Sequence, residues 1–171
     1  MMRFVVTGEW TQNRLLRAII LWFLFYSAGL WLTNALFFFN QMGLDYESVV
    51  AHYGGSEVQF MPPRSYKVLL EISHFHLLAM GVFILTLSHL VLFVPFRPLT
   101  KIWLIHLTFV SAISNEAAGW LIRFAHPSFA YLKIGAFLLL QTTMAVLIVS
   151  VLGALYMKVP NAYRDDLRKA E

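Results

Sequence analysis

Six histidines and two glutamates set among apolar residues carry whatever chemistry this chain can do. His74, His76 and His89 stand in the stretch EISHFHLLAMGVFILTLSHLVLFVPF, Glu71 to Phe96, which also holds Glu71 and is otherwise largely apolar. Ionisable groups in a segment of that character are costly to bury in hydrocarbon and tend to mark function. His106 and Glu116 lie in the next apolar run, His126 just beyond it, and His52 in the more polar stretch before Glu71. The chain has no cysteine. That excludes disulfides, thiolate metal sites, iron–sulfur clusters and haem attached through cysteine. A metal or haem would be held by imidazole, thioether, carboxylate or carbonyl groups.

Elements able to position these groups follow from the apolar runs. Of the 171 residues 59% are hydrophobic and 13% charged, about half the charged share of a soluble domain. We expect an integral membrane protein forming one domain over residues 1–171. Four runs, about 18–39, 68–94, 102–124 and 134–157, each suffice for a spanning helix of roughly 20 residues. The expected fold is all-α, a four-helix bundle. The first run is too long for a cleavable signal peptide and lacks a small-residue cleavage site after it.

Arg3, Arg14, Arg17, Arg97, Lys101, Lys158, Arg164, Arg168 and Lys169 fall on one side of four alternating helices; Arg64, Lys67, Arg123 and Lys133 fall on the other. The excess of cations predicts that both termini are cytoplasmic, in a cell inner membrane. Trp10, Trp22, Trp31, Trp103 and Trp120 are expected mostly near span ends, where amphipathic rings settle. Residues 40–67 form the one long loop on the opposite side. A short helix is expected at Tyr46–Tyr53, ended by Gly54 and Gly55, with Pro62 and Pro63 stopping the loop before the second span. This loop is expected to act as a lid or docking surface.

Helical geometry then sorts the histidines by depth. His74 and His89 are 15 positions apart, which places them about 60° apart around the axis and roughly 22 Å apart along it. Gly81 lies between them, where a bulky neighbour can approach. His89 stands eight residues before Arg97 and His106 nine after it, so an antiparallel pair brings both to nearly one depth. His126 lies near the level of His74 and His76, and His52 in the loop is a further candidate for that layer.

Two imidazoles facing each other in a bundle can grip a haem without a covalent bond and leave no open position on the iron, which favours electron transfer. In this arrangement the chain resembles the small four-helix membrane cytochromes of b type, which hold one haem near each membrane face. The resemblance covers the four spans and the depths of His74, His89 and His106, and includes no motif aligned residue by residue. It implies one or two haems b, the inner one on His89 and His106, the outer one on His74 or His76 with His126. Arg123, with Arg64, Lys67 and Lys133, would meet haem propionates or lipid phosphates.

Glu116 lies deeper than Arg123, seven residues later, and should be partnered or protonated. It would act as a proton acceptor beside a quinone or a haem edge, or bond Asn34 or Gln141 of another span. His76 is a second candidate to pass the proton. Glu71, one turn before His74, could orient that ring or simply be wet.

The function expected is therefore a haem-binding subunit moving electrons between the quinone pool and a redox partner outside the cytoplasmic membrane, within a complex of membrane or outer-side proteins. Two alternatives are a cofactor-free accessory subunit of a larger membrane complex, and a copper- or zinc-handling protein using His74, His76 and His52 with Glu71 or Glu57. Met42 and Met61 could join His52 around copper, though their spacing defines no site. No nucleophile–base pair, phosphate loop or zinc-protease helix is present. A net charge of +4 gives no reason to expect nucleic acid.

Overall fold

The computed structural model of the chain describes residues 13–58 and 60–156. They form an all-helical structure: α1 Arg14–Gln41, α2 Tyr46–Gly54, α3 Tyr66–Val91, α4 Pro98–Phe124, a 3-10 turn Pro127–Phe129, and α5 Ala130–Tyr156. Trp10 and the cations Arg3, Lys158, Arg164, Arg168 and Lys169 lie outside the described residues.

Local chemistry sets the helix ends. The Asn13 side chain accepts from the amides of Leu15 and Leu16 and starts α1. This is the usual way a short polar side chain satisfies first-turn donors. Asp45 accepts from Ser48 N at 2.8 Å to start α2, Ser65 accepts from Val68 N to start α3, and Pro98 opens α4. Each long helix therefore begins about two to four residues before the apolar run that predicts it, because caps and first turns are polar. α3 ends at Val91, ahead of the expected limit near residue 94, and the chain turns through residues 92–97. The short loop helix stands at Tyr46–Gly54, where it was expected. Gly55 follows at φ 87°, and a Cβ there would come within 2.7 Å of Pro63 N. Only glycine fits that corner.

α1, α3 and the segment Pro127–Tyr156 containing α5 are long and apolar enough to cross a membrane. α4 has the same length but is interrupted by Lys101, His106, Asn115, Glu116 and Arg123, and it falls short of that measure of apolarity. α5 is the central element, packing on α4, α1 and α3. Of its most apolar stretch 44% is buried, against 17% in α1 and α3. α3 also packs along α4, whereas the backbones of α1 and α3 stand apart and are bridged by side chains such as Phe23 and Phe83, rings 6.0 Å apart.

Two apolar clusters result. Near the turn at 92–97, which we call the turn end, Ile20, Leu87, Val91, Leu147 and Val151 are among the buried residues. Near α2, the loop end, Phe38, Val49, Tyr53, Ile122 and Phe137 pack together, with the rings of Phe38 and Phe137 stacked at 3.7 Å.

Candidate functional site

A cavity of about 280 Å³ lies among the long helices. Its apolar walls include Leu77, Met80, Ile84, Phe109 and Leu140, and its polar groups are Asn34, His76, Asn115 and Glu116. Counted from the loop end of each helix, Asn34 in α1, His76 in α3 and Glu116 in α4 are seven to ten residues in. They therefore share a depth of roughly 10–15 Å. The gap between the backbones of α1 and α3 contributes the space, as does Gly81, where an added Cβ would meet no neighbouring element within 4 Å.

Glu116 is the hub. Ser73 Oγ donates to its Oε1 at 2.5 Å, and His76 Nδ1 stands 3.4 Å from its Oε2. Trp120 Nε1 donates to Ser73 Oγ at 2.7 Å, so the hydroxyl is held with its proton directed to the carboxylate. The spacing explains the convergence. Ser73 and His76 are three apart on α3, and Glu116 and Trp120 four apart on α4, so each pair shares a helix face. Asn115 is attached, among the described residues, through its backbone only. Its backbone carbonyl accepts from Lys133 Nζ at 2.8 Å, while its side-chain Oδ1 is buried and has no hydrogen-bond partner.

Above this network the loop end is closed by polar contacts. Lys133 is only 7% exposed, and its ammonium lies 5.5 Å from the centre of the Tyr53 ring, a cation–π arrangement. Tyr53 rests against Gly119, where an added Cβ would lie 2.7 Å from the ring. The His52 ring meets Tyr53 edge-on and its Nε2 is 3.4 Å from an Arg64 guanidinium nitrogen. Burial, then the charges of Arg64 and Lys133, lower the His52 pKa to about 4, so this imidazole is neutral near pH 7. Arg123 Nε donates to the Arg64 carbonyl at 2.9 Å, tying α4 to the chain entering α3.

The other residues singled out from sequence are spread apart. His74 is exposed beside Phe75. His89 is exposed against Phe93. His106 is exposed, and its Nδ1 donates to its own helix at Ile102 O, 2.8 Å away. No contact among the described residues joins His89 to His106. His126 Nδ1 accepts from Ser128 N and caps the 3-10 turn. Glu71 pairs with Lys67 at 3.8 Å, both side chains well exposed, and not with His74. Among the described residues no group of three or more His, Asp or Glu stands close enough to hold a metal ion; Met42 is buried in the apolar cluster at the loop end and Met61 is exposed.

His76, not His74, thus turns toward α4. The partners of Glu116 are Ser73 and His76, in place of Asn34 or Gln141; Asn34 lines the same cavity, while the Gln141 carbonyl accepts from Trp31 Nε1. Ser73, Asn115, Trp120 and Lys133 were not anticipated in these roles. The three- and four-residue spacings to His76 and Glu116 were the available signals for Ser73 and Trp120.

No curated protein and no solved structure matches the chain. Residues 43–162, from the chain before α2 past the end of α5, match the family of transmembrane helical domains designated Aq_1264_TM, and the chain belongs to that family.

Proposed function

We propose that this protein is the membrane subunit of a redox assembly and that its cavity takes the head of a quinone-class carrier, with His76 and Glu116 exchanging its protons. The observation that carries this reading is that an imidazole, a carboxylate and two amide residues, His76, Glu116, Asn34 and Asn115, line one otherwise apolar cavity. Such a mixture, apolar walls with a few placed polar groups, is what small-molecule sites require. About 280 Å³ is near the lower limit of known ligand pockets and suits a single substituted ring whose tail leaves between α1 and α3. The two hydroxyls of a quinol would donate to Glu116 and to the Asn115 or His76 acceptors. Its oxidation releases two electrons and two protons; the electrons would leave one at a time to two one-electron acceptors of the assembly, the protons to His76 and Glu116.

In this reading α4 is a fourth span. Its outward side chains Trp103, Leu107 and Val110 are exposed and apolar, as befits a lipid-facing surface, while Asn115 and Glu116 line the cavity. The positive-inside rule then puts the turn end, with Arg14, Arg17, Arg97 and Lys101, in the cytoplasm of a cell bounded by this inner membrane.

If the assembly carries a haem on this chain, we propose His106 as the ligand to test. The bond from His106 Nδ1 to a backbone carbonyl leaves its exposed Nε2 free as a ligand, the tautomer in which imidazole binds iron. The second ligand would have to reach that face of α4, from His89 or from another subunit. A reduced-minus-oxidised spectrum of the protein purified from haem-replete cells reads this directly, and absence of an alpha band removes haem from the proposal.

The quinone site is tested by extracting and quantifying quinone from the protein purified in mild detergent, and by crosslinking a photoreactive quinone analogue. The label should map to the α3 and α4 peptides holding His76 and Glu116. Glu116→Gln and His76→Leu should each lower analogue binding at least tenfold with helical content unchanged. Wild-type protein with no quinone above the lipid background, and no saturable labelling, would refute the proposal.

A further inference from the structure

Among the described residues, the charged side chains packed next to the cavity lead from it toward the loop end. Toward the loop end, Asn115 is bonded to Lys133, Lys133 lies over Tyr53, Tyr53 meets His52, and His52 meets Arg64. Arg64 is half-buried and its carbonyl is held by Arg123. Every charged or titratable group near Glu116 other than His76 (Lys133 from α5, His52 and Tyr53 from α2, Arg64 before α3, Arg123 from α4) stands on this side. Lys133 is 7% exposed, and among the described residues no carboxylate lies within ion-pair distance of it. A buried ammonium in that position needs further polar company, and water supplies it where several partners surround one site.

Toward the turn end the interior is apolar. Leu87, Val91, Leu147 and Val151 are fully buried there. The hydroxyls in the middle of the bundle are committed to their own helices: Ser27 to Phe23 O, Thr108 to Leu104 O, Ser111 to Thr108 O and Thr143 to Leu140 O. Two buried polar atoms here have no partner among the described residues: Gln141 Nε2 on α5, next to the cavity-lining Leu140, and Ser88 Oγ, 15 residues from Ser73 along α3 and roughly 22 Å from it. A water needs two to four polar partners to be held, and this region provides no connected set of them. Beyond Ile84 and Phe109, the cavity-lining residues nearest the turn end, α3 runs seven more residues to Val91 and α4 eleven back to Pro98, some 10–16 Å of mainly apolar packing.

We infer that the polar end of the cavity communicates with the aqueous phase at the loop end and is sealed from the turn end, so that protons leaving or reaching His76 and Glu116 cross on the side of α2. This deepens the proposed function, which supplies the protons, while the one-sided access stands without it.

The chain has no cysteine, so single cysteines can report access without further changes. Ala112→Cys and Asn34→Cys place thiols in the cavity wall from two different helices, Glu57→Cys marks the exposed loop, and Leu99→Cys marks the exposed start of α4 at the turn end. Each full-length variant is reconstituted into sealed vesicles, and a charged, membrane-impermeant thiosulfonate is added to one face at a time. Both cavity thiols should react at least tenfold faster from the face that labels Glu57→Cys. Equal rates from both faces, faster reaction from the Leu99→Cys face, or no reaction at either cavity thiol that labels fully after denaturation would overturn the inference. Two probe sites guard against one variant misfolding. One-sided labelling in a protein that binds no quinone would sink only the proposed function, and quinone binding with two-sided labelling only the access.

Discussion

At the loop end Tyr53 is wedged between Gly119 and the Lys133 ammonium, His52 bridges Tyr53 to Arg64, and Arg123 holds the Arg64 carbonyl. At the turn end Leu87, Val91, Leu147 and Val151 pack with no exposed surface, and the nearby hydroxyls Ser27 and Thr108 bond their own helices. The first region is held by directional contacts between different elements, and losing one partner leaves another unsatisfied. The second is held by shape, through many small dispersion contacts that no single group dominates. The cavity lies between them, polar where it faces the first region and apolar where it faces the second. A chemical site placed in a membrane bundle needs both: polar groups that hold and exchange charge, and a packed region that prevents leakage.

The contrast makes distinct predictions for damage at each end. The largest effect is expected from Gly119→Val, because a Cβ already falls 2.7 Å from the Tyr53 ring and that ring is pinned. The cost should be about 3 kcal/mol, the upper range for overpacking a buried contact. It should appear as faster hydrogen exchange over α2, with the turn-end helices protected as before. Leu87→Ala should cost about 2 kcal/mol, the low end for a buried leucine, since within a bilayer packing and not transfer from water is what is lost. Its signature is a lowered thermal midpoint for the whole bundle, with α2 exchange changed no more than that of α3. If Leu87→Ala loosens α2 selectively, the two ends are not separate units.

A smaller and pH-dependent effect belongs to His52. Its pKa is about 4 in the folded protein against an ordinary 6.5, so the unfolded form binds the proton first as pH falls. The His52 contribution to the stability of α2 is therefore full above pH 6.5 and declines as pH drops toward 4. Hydrogen exchange over residues 46–54 should accelerate through that window in wild type. In His52→Gln the same segment should show little pH dependence, and a wild-type profile flat between pH 7 and 4 would contradict the buried, neutral imidazole. The smallest effect is expected from Lys67→Ala. The Lys67–Glu71 pair is a well-exposed pair one turn apart, worth less than about 0.5 kcal/mol. A thermal shift comparable to that of Leu87→Ala would mean that Glu71 has a role this geometry does not assign.

Much of the architecture was legible without coordinates. The apolar runs marked the long helices because a chain that buries its backbone in lipid must be helical over bilayer-scale lengths, and α2 was readable from polar caps and Gly54-Gly55. The site was legible only in part. Glu116 and His76 could be named as candidates, but the depth argument paired His89 with His106, which share a level yet lie on exposed faces and have no contact. Depth follows from counting residues along a helix, whereas rotation about the helix axis depends on which neighbour packs where. The same indeterminacy left His74 and His76 unresolved and gave Glu116 the wrong partners. Lys133 was counted as one of several cations, and only packing of α2 over the end of α5 buries it.

Sequence by itself determined that the chain is helical and apolar enough to enter a membrane, the order and approximate extent of its long helices, and which ionisable groups stand within apolar segments, because each of these is a property of residues near one another in the chain. Tertiary structure alone decided that α1 and α3 part to leave a cavity, that Ser73, His76 and Trp120 meet around Glu116, and that Lys133 is buried beneath α2. Those outcomes depend on the relative rotation and spacing of helices, which are set by the summed packing of side chains far apart in sequence.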